Sequence, residues 1–385
     1  MEFHDLYYRN TWLEINLDAI AHNVSEMKKR LVNNEKMIAV IKANAYGHGD
    51  VQTAKTALES GADYLAVAFL DEAISIRNKG IDAPTIIFGA INANHVMTIA
   101  ELNLTATVYN KNWLVEAKQI LQEKNLKIKI HIKIDSGMGR LGVRTLEELH
   151  ELLEVVDSNF FELEGVYTHF ATADELDETY MREQVATFQK LVESMPSKPA
   201  MIHCSNSAAA LRFSEYHFST VRFGIGMYGL TPAVGIKNLL PYELKPALSF
   251  HTKLTQVKKV PMNSKISYGA RYQSDKEEWI GTIPVGYADG WVRKLSGQEV
   301  LVNGKRTPII GSVCMDQCMI GLPNEVENGT LVTLIGSDGN EMISVEEIAN
   351  KLDTINYEIV CGFSARVPRV FKRNGKVVEV RNSLL

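Results

Sequence analysis

Ala39-Val40-Ile41-Lys42-Ala43-Asn44-Ala45-Tyr46-Gly47-His48-Gly49 is the stretch from which the rest of the 385-residue chain is read. An apolar run from Met37 to Ile41 stops at a lysine. Asn44, Gly47 and Gly49 break the run, and Asp50 can cap a following helix. Lys42 is therefore expected where a buried strand ends and a loop begins. A cation there is costly, because desolvation disfavours the charged form. The same burial lowers the pKa of the amine and makes it a nucleophile that forms Schiff bases with carbonyls. The position also suits a lysine that snorkels to a sheet edge.

From this stretch a rhythm runs onward. Short β-rich runs occur at 38–41, 64–68, 85–88, 105–108, 128–134, 163–168, 200–203 and 219–222. Helical patterns lie between them, among others at 51–59, 72–79, 113–123, 145–156 and 181–192. Strands alternating with helices predict a parallel sheet, and eight of them close a (β/α)₈ TIM-type barrel. Such a barrel carries its active residues at the C-terminal ends of the strands. Lys42, Arg140, His169, Ser205-Asn206-Ser207 and Arg222 fall at or just past strand ends, where surface or capping groups also occur. On 128–134 the isoleucines share one parity, while Lys129, His131, Lys133 and Asp135 share the other. If the isoleucines meet the helices, Lys133 points into the barrel.

Beyond Leu230 the pattern changes. Pro232, Pro241 and Pro246 interrupt the chain, and strand-like runs follow at 248–258, 280–284, 299–302, 307–310, 317–321 and 330–335, with one helix at 345–351. The expected organisation is an N-terminal strand in 1–17 that joins the C-terminal domain, a barrel over 18–232, and a mostly β domain over 233–385.

Composition narrows the function. The net charge of −5 comes from interspersed signs, which predicts neither a nucleic acid nor an anionic membrane as partner. No apolar run reaches the ~18 residues of a membrane helix, and Met1-Glu2-Phe3-His4-Asp5 lacks a signal-peptide pattern. A cytoplasmic protein is expected. The four cysteines form neither a disulfide framework nor a zinc set, so no metal is expected.

Several separated motifs resemble those of the alanine racemases. They are Ala39–Gly49, His131 to Arg140, Thr168-His169-Phe170-Ala171, Asn206-Ser207-Ala208, Arg222-Phe223-Gly224-Ile225, Ser267-Tyr268-Gly269, Gly286-Tyr287-Ala288-Asp289-Gly290, Cys314-Met315-Asp316-Gln317 and Asn356-Tyr357-Glu358. The resemblance implies pyridoxal 5'-phosphate (PLP) held on Lys42. Acid–base side chains supply only about 10²–10⁴-fold, so removing a Cα proton needs an electron sink, and PLP is one. By resemblance, Lys42 and Tyr268 are the two catalytic bases, and Tyr268 reaches the active site of the partner in a homodimer with shared sites. Arg222 matches the arginine that faces the pyridine nitrogen; an unprotonated nitrogen weakens the sink and is expected to limit side reactions such as transamination, and by the same resemblance His169 packs near the ring and orients Arg222. Tyr46, Ser207, Gly224, Ile225 and Tyr357 match the phosphate-binding positions. Arg140 matches the group that meets the phenolate oxygen and the substrate carboxylate, and Met315 the backbone donor to that carboxylate. Lys133 matches a lysine often carbamylated, and the other reading pairs it with an acidic neighbour.

The implied reaction is interconversion of L- and D-alanine, which supplies D-alanine for peptidoglycan. The alternatives are a serine or broad-specificity racemase, a decarboxylase of the same plan, and a non-catalytic PLP-binding protein. Tyr268 with Tyr357 speaks against the decarboxylase, which uses a cysteine. One departure is Ser312, where the family often has arginine before Val-Cys-Met-Asp-Gln; it changes the expected charge of the substrate corridor.

Overall fold

The computed structural model describes residues 7–385; the segment read above for an export signal lies outside them. The described residues form two compact units, one of residues 20–45 and 50–245, the other of residues 7–19, 46–49 and 246–385. Strand β1 (Thr11–Asn16) belongs to the second.

The first unit is an eight-stranded parallel barrel. Its strands are β2 (Lys36–Val40), β3 (Tyr64–Val67), β4 (Thr85–Ile87), β5 (Leu104–Val108), β6 (Ile128–Lys133), β7 (Phe161–Tyr167), β8 (Met201–His203) and β9 (Thr220–Phe223). Each pairs with the next up to β8, and β2 pairs with β9. The seam between β8 and β9 carries backbone bonds from Ser219 N–H to Ile202 O and from Arg222 N–H to Ser205 O. Met37, Ile38, Ala39, Leu65, Ile86, Ala106, Ile130, Ile132 and Val221 are fully buried, as parallel strands covered on both faces require. Amphipathic helices such as Lys111–Lys124 and Thr179–Glu193 supply the outer layer.

After β2 the backbone enters a left-handed turn. Ala43, Asn44, Ala45 and Tyr46 all have φ between 51° and 54°. Each L-residue there costs roughly 1–2 kcal/mol, so the surroundings must hold it. Ala45 N–H donates to Ile41 O, Ala43 N–H to Glu72 Oε1 and Asp50 N–H to Asn44 Oδ1. The turn projects Lys42 from the strand end.

The second unit is mostly β. β1 pairs antiparallel with β10 (Leu248–Lys253) and parallel with a strand at Arg369–Arg373. The run expected as one strand over 248–258 is two, Leu248–Lys253 and Gln256–Val260, because the chain changes partners at Leu254. The first pairs with β1 and Leu331–Asp338, the second with Glu278–Ile283. Strands at Lys265–Ile266, Tyr272–Gln273, Glu341–Ile343, Arg369–Arg373 and Lys376–Arg381, and a helix at Asn356–Cys361, fall outside the sequence expectation. The last two strands form a hairpin across Asn374-Gly375, both with positive φ, a sequence signal for such a turn.

Gly47 (φ +81°) is required by close approach: a Cβ there would lie 2.0 Å from Val360 O. Gly47→Ala is expected to cost at least about 2 kcal/mol, seen as a lower thermal midpoint. Ala43→Gly relieves a left-handed residue and should leave the midpoint unchanged or raise it.

Candidate active site

Arg222 lies on β9 and is 3% exposed. Its Nη1 donates to His203 Nδ1 (3.0 Å), and its Nη2 donates to His169 Nδ1 (3.2 Å) and to Cys204 O (2.8 Å). Among the described residues no carboxylate pairs with it. Burial draws it down to about 10, which leaves it protonated at neutral pH. An arginine has five N–H donors, and the bonds above leave Nε–H and one Nη1–H for a further acceptor. Burial, then the charges of Arg222, Lys133, Arg140 and Lys42, holds His169 well below the ordinary histidine value. Burial and Arg222 do the same to His203. Both imidazoles are therefore neutral, and each offers a lone pair to the guanidinium.

Lys133 is 6% exposed, with Nζ 4.3 Å from the centre of the Tyr167 ring. Burial, Arg222 and Arg140 push its pKa well below the lysine value, and Asp135 opposes them. Asp135 spends its Oδ1 on Gly137 and Gly139 N–H, and no ion pair to Lys133 occurs among the described residues. Tyr167 stacks on His203 with centroids 4.8 Å apart and shares a 2.9 Å hydrogen bond with Thr107. Lys42, Arg140 and Arg222 thus gather positive charge at the C-terminal ends of the strands, which suits an anionic guest.

Ser207 opens the helix Ser207–Arg212, with Asn206 as N-cap. Its Oγ accepts from Gly224 N–H (2.8 Å) and Gly226 N–H (3.3 Å). Ser207, Gly224 and Ile225 are therefore brought together, and the Ser207 hydroxyl proton is directed to a further acceptor. This donor set fits PLP: an amine on Lys42, spare donors on Arg222 for a ring nitrogen, and hydroxyl and amide donors for a phosphate.

The second unit carries the other expected residues. The rings of Tyr46 and Tyr357 lie 6.1 Å apart, and burial raises the pKa of Tyr46. Tyr268 is 73% exposed on a short turn, and Met315 is 52% exposed. Ser312 is buried and holds that turn: its Oγ donates to Tyr268 O, and Ser267 Oγ donates to Ser312 O. Where a charge was expected for the corridor there is a hydroxyl engaged with backbone. His203, Tyr167 and Glu164 were not singled out from sequence. His203 ends β8 as His169 follows β7, so the strand-end rule could have found it.

A parallel barrel with cations and neutral imidazoles at its strand ends defines a barrel enzyme whose site lies at the C-terminal mouth. The alanine racemase N-terminal domain family matches residues 15–232 and the C-terminal domain family residues 247–371. The alanine racemase of Geobacillus kaustophilus (strain HTA426) is 53% identical over 381 residues, 99% of both chains. Alanine racemase 1 of Bacillus subtilis (strain 168) is 50% identical, over 98% of this chain and 97% of that one. The crystal structure of alanine racemase from Bacillus anthracis superposes with a TM-score of 0.95 at 50% identity, covering 98% of this chain and 99% of that one. A histidine racemase from Leuconostoc mesenteroides subsp. sake shares the fold at 31% identity and TM-score 0.90, covering 95% of this chain and 99% of that one. The chain belongs to the alanine racemase family.

Ser207→Ala strips the acceptor from the buried N–H groups of Gly224 and Gly226. Each orphaned donor costs about 1–3 kcal/mol, so the thermal midpoint should fall even without added cofactor.

Proposed function

We propose that this chain interconverts L- and D-alanine with PLP as cofactor, as a cytoplasmic homodimer that supplies D-alanine for peptidoglycan. The observation that carries the reading is Arg222: a buried guanidinium with spare donors, two neutral imidazoles against it, and a lysine at the first strand end. Lys42 would hold the cofactor, Arg222 its ring nitrogen and Arg140 its phenolate oxygen. Ser207, Gly224, Ile225, Tyr46 and Tyr357 would serve the phosphate. PLP, when bound, supplies the electron sink that side chains lack.

The rest is the work of the chain's own residues. Arg222 does not give up its proton, so the atom it faces must accept, and the ring nitrogen stays unprotonated. The Lys42 amine takes or returns the Cα proton on one face of the substrate. The Tyr268 phenol does so on the other, and the exposure of that side chain supports its service to a second subunit. Arg140 and the Met315 backbone N–H hold the substrate carboxylate. No helix among the described residues is long and apolar enough to cross a membrane.

Lys133 is proposed to be carbamylated. Burial and two neighbouring guanidinium groups favour its neutral amine, the form that attacks CO₂. The Nζ lone pair bonds to the carbon, one proton leaves, and the resulting anion is stabilised by Arg140 and Arg222. With ¹³C-bicarbonate, a carbamate signal that Lys133→Gln abolishes is expected; its absence from wild-type protein near neutral pH would count against the modification.

L-Alanine and L-serine incubated in D₂O and read by chiral analysis test the reaction. Deuterated D-alanine is expected, with a loss of about 10²–10⁴-fold in Tyr268→Phe and more in Lys42→Ala. Mixing those two variants should restore about a quarter of wild-type activity, because half of randomly mixed dimers carry one intact shared site. No recovery would remove the shared site. Strong serine turnover would move the reading to a broader racemase, and unchanged substrates with bound cofactor to a binding protein.

A further inference from the structure

Glu164, on β7, is 7% exposed and has four hydrogen-bond partners inside the barrel. Tyr64 Oη (3.1 Å) and Lys129 Nζ (3.0 Å) donate to Oε1 and Thr105 Oγ1 (3.1 Å) donates to Oε2, while His131 Nε2 lies 3.2 Å from Oε2. The chain of contacts continues inward. His131 Nδ1 lies 3.0 Å from His203 Nε2, and His203 Nδ1 lies 3.0 Å from Arg222 Nη1. Both imidazoles are fully buried. Gly165 makes room for this, since a Cβ there would lie 2.4 Å from the His131 ring.

The two ends fix the protons. Arginine only donates, and an ionised carboxylate only accepts. Arg222 therefore needs a lone pair on His203 Nδ1, which places the His203 proton on Nε2. That proton goes to His131 Nδ1, which places the His131 proton on Nε2, facing Glu164. A proton on either Nδ1, an imidazolium, or a protonated Glu164 donating to His131 would set two donors against each other somewhere along the chain. Only one arrangement satisfies every contact: ionised Glu164 and two neutral imidazoles protonated at Nε2.

We propose that Glu164 is a positioning residue for racemisation, which acts through His131 and His203 to hold Arg222 as a donor toward the cofactor ring nitrogen while keeping its counter-charge three hydrogen bonds away. The inference rests on the reading of Arg222 given above. Placed in contact, the same carboxylate would cancel the positive field at the ring. Held at a distance, it orders the guanidinium without cancelling that field. The hydrogen bonds from His131 and Lys129 outweigh burial and hold Glu164 at about 2, in keeping with an ionised end.

The test is long-range ¹H–¹⁵N NMR of ¹⁵N-histidine-labelled protein, assigned with His131→Asn and His203→Asn. His131 and His203 should both show the neutral Nε2–H pattern from about pH 6 to about pH 9. An Nδ1–H tautomer or an imidazolium at either site overturns the relay. Glu164→Gln keeps the shape and removes the charge, and Gly165→Ala displaces the His131 ring without changing any charged group. Both should lower kcat about 10- to 100-fold, the range for one charge-assisted hydrogen bond, with KM for alanine little changed. Wild-type kcat in both variants, each folded by its thermal midpoint, overturns the positioning role. Failure of the Lys42 and Tyr268 variants to affect racemisation would instead unseat the reading of the site and leave the tautomer pattern standing.

Discussion

A guanidinium buried without a carboxylate against it is the constraint on which the barrel interior depends. Taking Arg222 out of water costs several kcal/mol in effective terms, and a direct ion pair is the usual offset. Here the offset is assembled from neutral acceptors: a backbone carbonyl and two imidazole lone pairs. The Tyr167 ring, whose centre lies 5.5 Å from the guanidinium carbon, adds its face. Because these acceptors must stay neutral to accept, the cation dictates the protonation of its surroundings. The neighbouring charges of Arg140 and Lys42 push the same way, since each disfavours a proton on His169. The interior is therefore positively charged and poor in free acceptors, a condition completed by an anionic guest that brings acceptors of its own.

Backbone strain serves the same site. Four consecutive L-residues in the left-handed region form one of the least favourable local conformations in the chain. Small side chains at Ala43 and Ala45 and the tolerant Asn44 limit the cost, and Glu72 and Asn44 tie the turn down. Strain of this kind persists where the surroundings over-determine it. It lets residues 42 and 46, only four apart, be a strand-end amine and a buried phenol packed 6.1 Å from the Tyr357 ring. A right-handed turn would lower the local energy and direct both side chains elsewhere.

Much of this was legible in the sequence, and the reasons differ by residue. Strand-end placement was readable because a parallel barrel presents all its C-terminal ends at one mouth; Lys42, His169 and Arg222 follow from counting strands. The inward direction of Lys133 follows from the alternation of four isoleucines. The hairpin across Asn374-Gly375 was not anticipated, although its turn residues carry a signal for it. The break at Leu254 was not legible: composition continues smoothly while the hydrogen-bonding partner changes, and a partner is a non-local property. Glu164 was hidden for the same reason. It meets His131 across 33 positions and Tyr64 across 100, and its own strand reads as ordinary alternation. Sequence pattern tells which way a side chain points; it does not tell which acceptor waits there.

The turn that carries Tyr268 extends the link between strain and function to the second unit. Ser267 has φ +67° and Ala270 φ +47°, both L-residues in the left-handed region, with Gly269 at +74° between them. Ser312 and Ser267 clamp this turn by two hydrogen bonds, and Gly311 is a glycine because a Cβ there would lie 2.7 Å from the Ser267 Cβ. A clamp of this kind costs loop entropy as well as strain, and a flexible surface tyrosine would need neither. Rigid presentation of an exposed phenol fits the role proposed for Tyr268 as a second base. Ser312 serves this turn as an uncharged hydroxyl that donates to the Tyr268 carbonyl and holds the backbone in place.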